Sequence, residues 1–224
     1  GGNIAKFDCV IANPPFSPEN WGATEWSSDK YKRNIYGTPS DSCGDYAWIQ
    51  HMICSMSSGK GRMAVVMPQG ILFRGNQEAE IRKQLVESDL IEAVVTLGDK
   101  LFYGTGLSPC FLIIRRMKPA HHSGRILMID GYKILTQKRA QNILEENDID
   151  RLYSLYQNYS DEEDYSRIVT LQEIRDKEYN LSPNRYVVYH KEEIRPYVEV
   201  LAEFKHAYED VKRLEKEFSL LINA

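Results

Sequence analysis

The residues with the clearest chemical potential are Asn13, Pro14, Pro15 and Phe16, which follow an apolar run at 7–12. Neither proline has a backbone N–H, and each fixes its φ angle at about −65°, so a strand that reaches Asn13 stops there. The Asn13 side-chain oxygen and the Pro14 carbonyl are then unpaired acceptors beside the face of Phe16. This combination predicts a pocket for a planar group that carries an amino group. The alternative is a rigid turn with an ordinary core Phe.

These four residues must be positioned by the elements around them. The run at 7–12 is typical of a buried parallel strand. A stripe of apolar residues predicts a helix over 45–58, and Gly75-Asn76 opens a second helix. Further apolar runs predict strands at 63–67, 90–97, 108–116 and 125–130.

The link between the strands at 90–97 and 108–116 decides their direction. It is too short for the helical crossover that parallel neighbours need, so these strands form an antiparallel hairpin. The order strand, helix, strand, helix, strand, hairpin strand predicts an α/β fold: the second half of a doubly wound sheet with an antiparallel edge hairpin. A helical pattern follows from 134 to 159, and the acidic run at 161–164 is typical of a solvated turn.

Composition restricts the classes of partner, metal site and cellular location that the chain can have. The 224 residues carry a net charge of −4, with a pI near 5.8. Any surface that binds nucleic acid must therefore be a local patch of this chain or be supplied by a partner. The four cysteines lack metal-ligand spacing and favour a reducing cytosol, and His121-His122 has no matching ligand cluster, so we expect no metal. Neither a membrane-spanning run nor a signal pattern is visible, which favours a cytoplasmic protein away from membranes.

The segment 17–44 is polar and is predicted to be a long loop. It carries four aromatic residues interleaved with Lys30, Lys32 and Arg33. Aromatic rings and cations suit stacking on bases and pairing with phosphates, so the loop is a candidate for DNA contact or for a lid. The alternative is a mobile surface loop whose aromatic residues pack locally.

The motif at 13–16 resembles the hallmark of the amino-methyltransferases that modify adenine. Together with the segments 45–51, 61–68, 101–106 and 180–186, it makes the chain similar to the modification subunit of type I restriction-modification systems. The resemblance implies a Rossmann-like S-adenosylmethionine-dependent methyltransferase fold and methylation of adenine in DNA. It also implies DNA, a specificity subunit and a restriction subunit as partners.

The resemblance also implies roles for single residues. Asn13 and the Pro14 carbonyl would accept the two amino hydrogens of adenine, in the rigid turn that Pro15 completes, while Phe16 stacks on the base. A second aromatic contact would come from Phe102 or Tyr103, and spacing does not choose between them. The glycine-rich cofactor loop and its acidic partner are absent from this chain, so we expect the cofactor-binding residues upstream of Gly1 and expect the isolated chain to be inactive.

The domain interpretation has three parts: a target-base half at 1–130, a helical connecting region at 131–190 and a long amphipathic helix at 191–224. Pro196 fits the first turn of that helix. Apolar residues then recur at steps of three and four, close to a coiled-coil period: Ile194, Val198, Leu201, Phe204, Tyr208, Val211, Leu214, Phe218 and Leu221. This stripe predicts packing on a long helix of another subunit, with folding back on its own domain as the alternative.

Two other functions are compatible with the sequence. One keeps the motif but changes the acceptor to an RNA adenine or a protein glutamine amide, each of which is also a planar amino group. The other is a non-catalytic assembly module in which the motif is only a turn.

Overall fold

A mixed six-stranded sheet is the framework of the chain. The computed structural model describes residues 3–102, 106–139, 141–190 and 196–222. The strands are β1 (Cys9–Ala12), β2 (Arg62–Pro68), β3 (Ile91–Leu97), β4 (Pro109–Arg115), β5 (Arg125–Gly131) and β6 (Ser166–Thr170). The α-helices are α1 (Ala23–Ser27), α2 (Asp45–Ser55), α3 (Asn76–Glu87), α4 (Glu146–Asn158), α5 (Leu171–Asp176) and α6 (Tyr197–Ile222).

The sheet order is β1-β2-β4-β3-β5-β6. β1 is parallel to β2 and β3 is parallel to β5, whereas β4 is antiparallel to both β2 and β3. The predicted hairpin of β3 and β4 is therefore confirmed. All the parallel strands end at the same edge of the sheet, where Asn13 follows β1.

The prediction that the hairpin strand lies at the edge of the sheet is wrong. β4 is an interior strand, and β6, which is antiparallel to β5, lies at the edge instead. The physical reason is that residues 110–114 are all apolar, so β4 can be covered on both faces, as an interior strand requires.

The region 131–190 also differs from the helical connection expected from sequence. Its helix α4 begins only at Glu146, where Glu145 and Asp148 form a capping box. The preceding described residues, 134–139 and 141–145, are not helical. The region also contributes β6 to the sheet. Residues 1–189 form one compact unit and residues 190–224 a second, so the boundary expected at 130 falls inside the first unit.

Helices cover both faces of the sheet. On one face, α2 and α3 pack their apolar stripes on β2 and β4, with Tyr46, Ile49, Ile53, Ile81 and Leu85 essentially inaccessible to solvent. On the other face, Leu152 and Leu155 of α4 pack against β3 and β5. α2 and β2 are thereby fixed relative to β1, which pairs with β2.

The helix α6 makes up most of the described part of the second unit, and it begins directly after Pro196 as predicted. Its 26 residues give a length of about 40 Å. Most of the described apolar stripe is exposed within this unit; Val198 is 75 % exposed and Phe204 is 65 % exposed. Ile194, the first residue of the predicted stripe, lies outside the described residues. No helix among the described residues has the length and apolarity needed to cross a membrane.

Gly61 makes the turn that sets β2 in register with β1. A Cβ atom at Gly61 would lie 2.4 Å from the Ser57 carbonyl oxygen and 2.7 Å from the Met56 Cβ, whereas a Cβ at Gly59 would meet nothing within 4 Å. We expect Gly61→Ala to lower the free energy of unfolding by about 1–3 kcal/mol, because the backbone of the turn must move. Gly59→Ala, the matched control in the same turn, should change it by less than about 0.5 kcal/mol. Urea unfolding measures both, and equal effects would contradict this account.

Candidate active site

The ladder between β1 and β2 stops at Ala12, one residue before Asn13. Pro14 is buried, and Asn13 and Pro15 are exposed at the carboxyl end of β1. Among the described residues, none donates a hydrogen bond to the Asn13 side chain or to the Pro14 carbonyl. These two acceptors on adjacent residues thus lack a donor among the described residues.

An aromatic pair lies beside these acceptors in the chain. The ring centroids of Phe16 and Phe102 are 5.9 Å apart and the rings are inclined by 75°, which is an edge-to-face contact. Phe102 lies in the connection between β3 and β4, 86 residues beyond Phe16. The fold therefore brings together two of the aromatic residues singled out from the sequence. Tyr103, the other candidate, lies outside the described residues.

A cluster of polar and charged residues surrounds Ser17, the residue that follows the motif. We call it the Arg74 cluster; its members are Ser17, Cys43, Asp45, Arg74 and Glu78. Arg74 Nη1 lies 2.8 Å from an Asp45 carboxylate oxygen and 3.2 Å from a Glu78 carboxylate oxygen. Arg74 Nη2 donates to Ser17 Oγ at 3.1 Å. The Ser17 N–H in turn donates to Asp45 Oδ1 at 2.7 Å.

Burial and charge determine the protonation of this cluster. Burial raises the pKa of Glu78, with the Arg74 guanidinium opposing the shift. Burial also raises the pKa of Cys43 to about 11, so this thiol is neutral at physiological pH. The pKa of Arg74 is raised because its hydrogen bond to Asp45 and the field of Glu78 outweigh its burial. Arg74 is the cation that the two buried carboxylates hold.

Three members of the cluster are of types that ligate metal ions: Cys43, Asp45 and Glu78. Their ligand atoms all lie within 4.8 Å of one another. Arg74 Nη1, however, lies 2.7 Å from Cys43 Sγ and within hydrogen-bond distance of both carboxylates. The guanidinium therefore occupies the position that an ion would take. Sequence reasoning missed this cluster because Arg74 and Asp45 are 29 residues apart and no motif spacing links them.

The segment 17–44 folds back on itself beside the motif. The Gly44 N–H donates to the Pro18 carbonyl and the Asn20 N–H donates to the Asp41 carbonyl, both at 3.0 Å. The two ends of the loop are thus joined, and the short helix α1 lies between them.

Aromatic residues of this segment pack on one another. The rings of Trp21 and Trp26 lie 5.8 Å apart, and the Arg33 guanidinium, paired with Asp29 at 2.8 Å, lies 4.7 Å from the Trp26 ring. A cavity of about 640 Å³ lies between these rings and α2. These contacts are the local packing that the alternative interpretation expects. DNA contact and a lid role for this loop stay predictions.

Comparison with known proteins shows which family this chain is similar to. The family model described as N-6 DNA Methylase matches residues 2–194. The type I restriction enzyme MjaVII methylase subunit from Methanocaldococcus jannaschii is 36 % identical in an alignment of 223 positions that covers 95 % of this chain and 37 % of that protein. The chain therefore spans less than half the length of that relative.

Solved structures agree with this comparison. The type I restriction-modification methyltransferase subunit from Streptococcus thermophilus superposes with a TM-score of 0.76 and 30 % identity, covering 83 % of this chain and 39 % of that one. A structure concerned with complex assembly of a type I restriction-modification system covers 99 % of this chain and 47 % of that one, with a TM-score of 0.60. At 21 % identity the second likeness shows the fold alone.

The family model covers most of the chain, including the acceptors at Asn13 and Pro14, the Phe16–Phe102 pair and the Arg74 cluster, and the S. thermophilus subunit shares the fold. The chain belongs to the N-6 DNA methylase family.

Proposed function

We propose that this chain forms the target-base half of an adenine-specific DNA methyltransferase of a type I restriction-modification system. Such an enzyme transfers a methyl group from S-adenosylmethionine to the exocyclic amino group of adenine. The observation that carries the proposal is the pair of acceptors without donors among the described residues, Asn13 Oδ1 and the Pro14 carbonyl, followed in the chain by Phe16, whose ring contacts Phe102. Because the chain spans 37 % of a named relative, we assign the activity to a longer protein that contains this chain.

The two acceptors address the main chemical obstacle. The exocyclic amine of adenine is a poor nucleophile because its lone pair is delocalised into the ring. Hydrogen bonds from its two N–H groups to Asn13 and Pro14 raise the electron density on nitrogen. As the new N–C bond forms, positive charge develops on the nitrogen and these hydrogens become stronger donors. The acceptors therefore stabilise the transition state more than the ground state.

The aromatic residues address the second obstacle, which is access. An adenine in a duplex must be flipped out of the stack, at a cost of a few kcal/mol. Stacking on the Phe16 face offsets about 1–3 kcal/mol of that cost. Phe102 contacts Phe16 edge to face, so it holds the orientation of the stacking ring.

The described residues do not fit the cofactor. None of the loops after β1, β2 or β5 is a glycine-rich turn that leads into a helix. Asp130, the acid near the end of β5, already accepts from the Tyr132 N–H at 3.0 Å, from Thr96 Oγ1 at 3.1 Å and from the Tyr189 hydroxyl. The proposal therefore assigns S-adenosylmethionine to other residues of the longer protein.

The outer edge of β1 supports this assignment. Among the described residues β1 pairs only with β2, and Ile11 in this four-residue strand is 77 % exposed. An apolar strand with one unpaired edge can accept further strands. Strands of the longer protein that continue the sheet here would lie next to Asn13.

For α6 we propose a role in assembly with the specificity subunit of the complex, which would also recruit the restriction subunit. The helix carries an apolar stripe that is largely exposed among the described residues of its unit, while its other faces bear charges of both signs, such as Asp210 paired with Arg213 at 2.9 Å. Mixed charge suits solvent or a protein partner better than DNA phosphates.

Asn13→Ala in the intact protein is expected to reduce methyl transfer by more than a hundredfold, because one of the two acceptors for the amino group is lost. Incorporation of labelled methyl groups from S-adenosylmethionine into DNA measures the effect, and DNA binding and circular dichroism should stay near wild type. RNA and protein acceptors tested with the wild type separate the alternative substrates. Activity within tenfold of wild type would remove Asn13 from the mechanism.

Two substitutions at Phe16 separate stacking from simple space filling. Phe16→Tyr keeps the stacking face and should leave methyl transfer within a few-fold of wild type. Phe16→Ala removes the face and should reduce transfer by roughly five- to 150-fold, which is the factor that about 1–3 kcal/mol represents. Equal activities of the two variants would show that stacking plays no part.

The α6 proposal is tested by a matched pair of substitutions in the intact subunit. Leu214→Asp puts a charge in the apolar stripe, whereas Lys216→Asp puts the same side chain on a charged face of the same helix. We expect the first variant, like deletion of residues 197–224, to lose co-purification with the specificity subunit, and the second to retain it. Retained assembly after the deletion would rule out this role.

A further inference from the structure

Three segments that are distant in the chain meet at the Arg74 cluster. Ser17 directly follows the motif, Asp45 is the first residue of α2, and Arg74 lies in the loop after β2. The Asp45 side chain is fully buried and binds both of the others: it accepts from the Ser17 N–H at 2.7 Å and from Arg74 Nη1 at 2.8 Å. The residue after Phe16 is therefore tied to the elements that flank β2.

The Ser17 backbone needs this support. Ser17 has a φ of 46°, in the left-handed region that residues other than glycine seldom adopt. Such a conformation persists when surrounding contacts enforce it. Here Asp45 accepts from both the N–H and the hydroxyl of Ser17, at 2.7 and 3.2 Å, and the Arg74 guanidinium donates to the same hydroxyl at 3.1 Å.

The fold also makes room for the guanidinium. A Cβ atom at Gly70 would lie 2.4 Å from Arg74 Nε and 2.6 Å from its Nη2 atom. The guanidinium thus lies against a stretch of backbone that bears no side chain. Its planar fork reaches the two carboxylates with Nη1 and Ser17 with Nη2, a geometry that the single nitrogen of a lysine ammonium group does not reproduce.

We propose that Arg74 and Asp45 are positioning residues that hold the 13–16 turn in the geometry needed to bind the target amino group. The inference rests on the proposed function. β1 fixes the turn from the side of Ala12 by its ladder with β2, and the Arg74 cluster fixes it from the side of Ser17. The two acceptors and the Phe16 ring lie between these anchors, so a shift at Ser17 changes their placement without removing them.

The test compares Arg74→Lys with Arg115→Lys in the intact protein. Arg115 is a matched control. Its side chain is 34 % exposed, against 29 % for Arg74, and it bonds the buried Glu92 carboxylate at 2.9 Å. Its backbone lies opposite Arg62 in the β2–β4 ladder, at the end of the sheet away from Asn13. We expect Arg74→Lys to lower kcat at least tenfold while KM for DNA stays within about twofold. Arg115→Lys should leave kcat within about twofold, although both variants replace a guanidinium that bonds a buried carboxylate with an ammonium group.

A second variant keeps the arginine. Gly70→Ala places a methyl group where the guanidinium lies and should reproduce the loss of kcat with the charge unchanged. Asp45→Asn should retain more activity than Asp45→Ala, because the amide oxygen still accepts from the Ser17 N–H.

Hydrogen exchange separates failure of this inference from failure of the proposed function. In Arg74→Lys the Ser17 amide should exchange at least tenfold faster than in wild type, and in Arg115→Lys it should not change. If the wild-type protein methylates no DNA, the proposed function is wrong, and the exchange result still decides the positioning role. Wild-type kcat in Arg74→Lys, or unchanged exchange at Ser17, would overturn the inference.

Discussion

The absence of two successive backbone N–H groups, at Pro14 and Pro15, is the constraint on which the site depends. It ends the β1 ladder after four residues and leaves the oxygen atoms of Asn13 and Pro14 without partners among the described residues. In most buried turns such acceptors would destabilise the fold. Here they lie at the carboxyl end of a parallel strand, where ligands of open α/β sheets bind. The chain then leaves the sheet through Ser17, whose strained backbone Asp45 supports.

The features that could be predicted from sequence are those with a local physical cause. The proline pair, the apolar stripe of α2 and the apolar runs of β2, β3 and β5 each act within a few residues. The short link at 99–107 was enough to predict the hairpin of β3 and β4. Family resemblance, rather than pattern, singled out Phe102, and its contact with Phe16 at 5.9 Å follows from that hairpin.

The features that sequence did not reveal depend on contacts between distant residues. The interior place of β4 is decided by β2, which precedes it by some forty residues, and the helical pattern at 134–145 is overridden by the isolated bridge between Thr136 and Ile143. The Arg74 cluster joins residues 17, 45 and 74, which no periodicity connects. Buried ion pairs of this kind leave no trace in hydrophobic patterns because their members look like surface residues.

The interior position of β4 also determines how far apart in sequence the contacts are that hold the site. β3 and β4 are joined by a short link, whereas β2 pairs with β1, which precedes it by 53 residues, and with β4, which follows it by more than forty residues. Contacts of such separation carry a larger loop-closure entropy than those of a local hairpin. The strand that leads into Asn13 is thus held in the described sheet by long-range pairing alone.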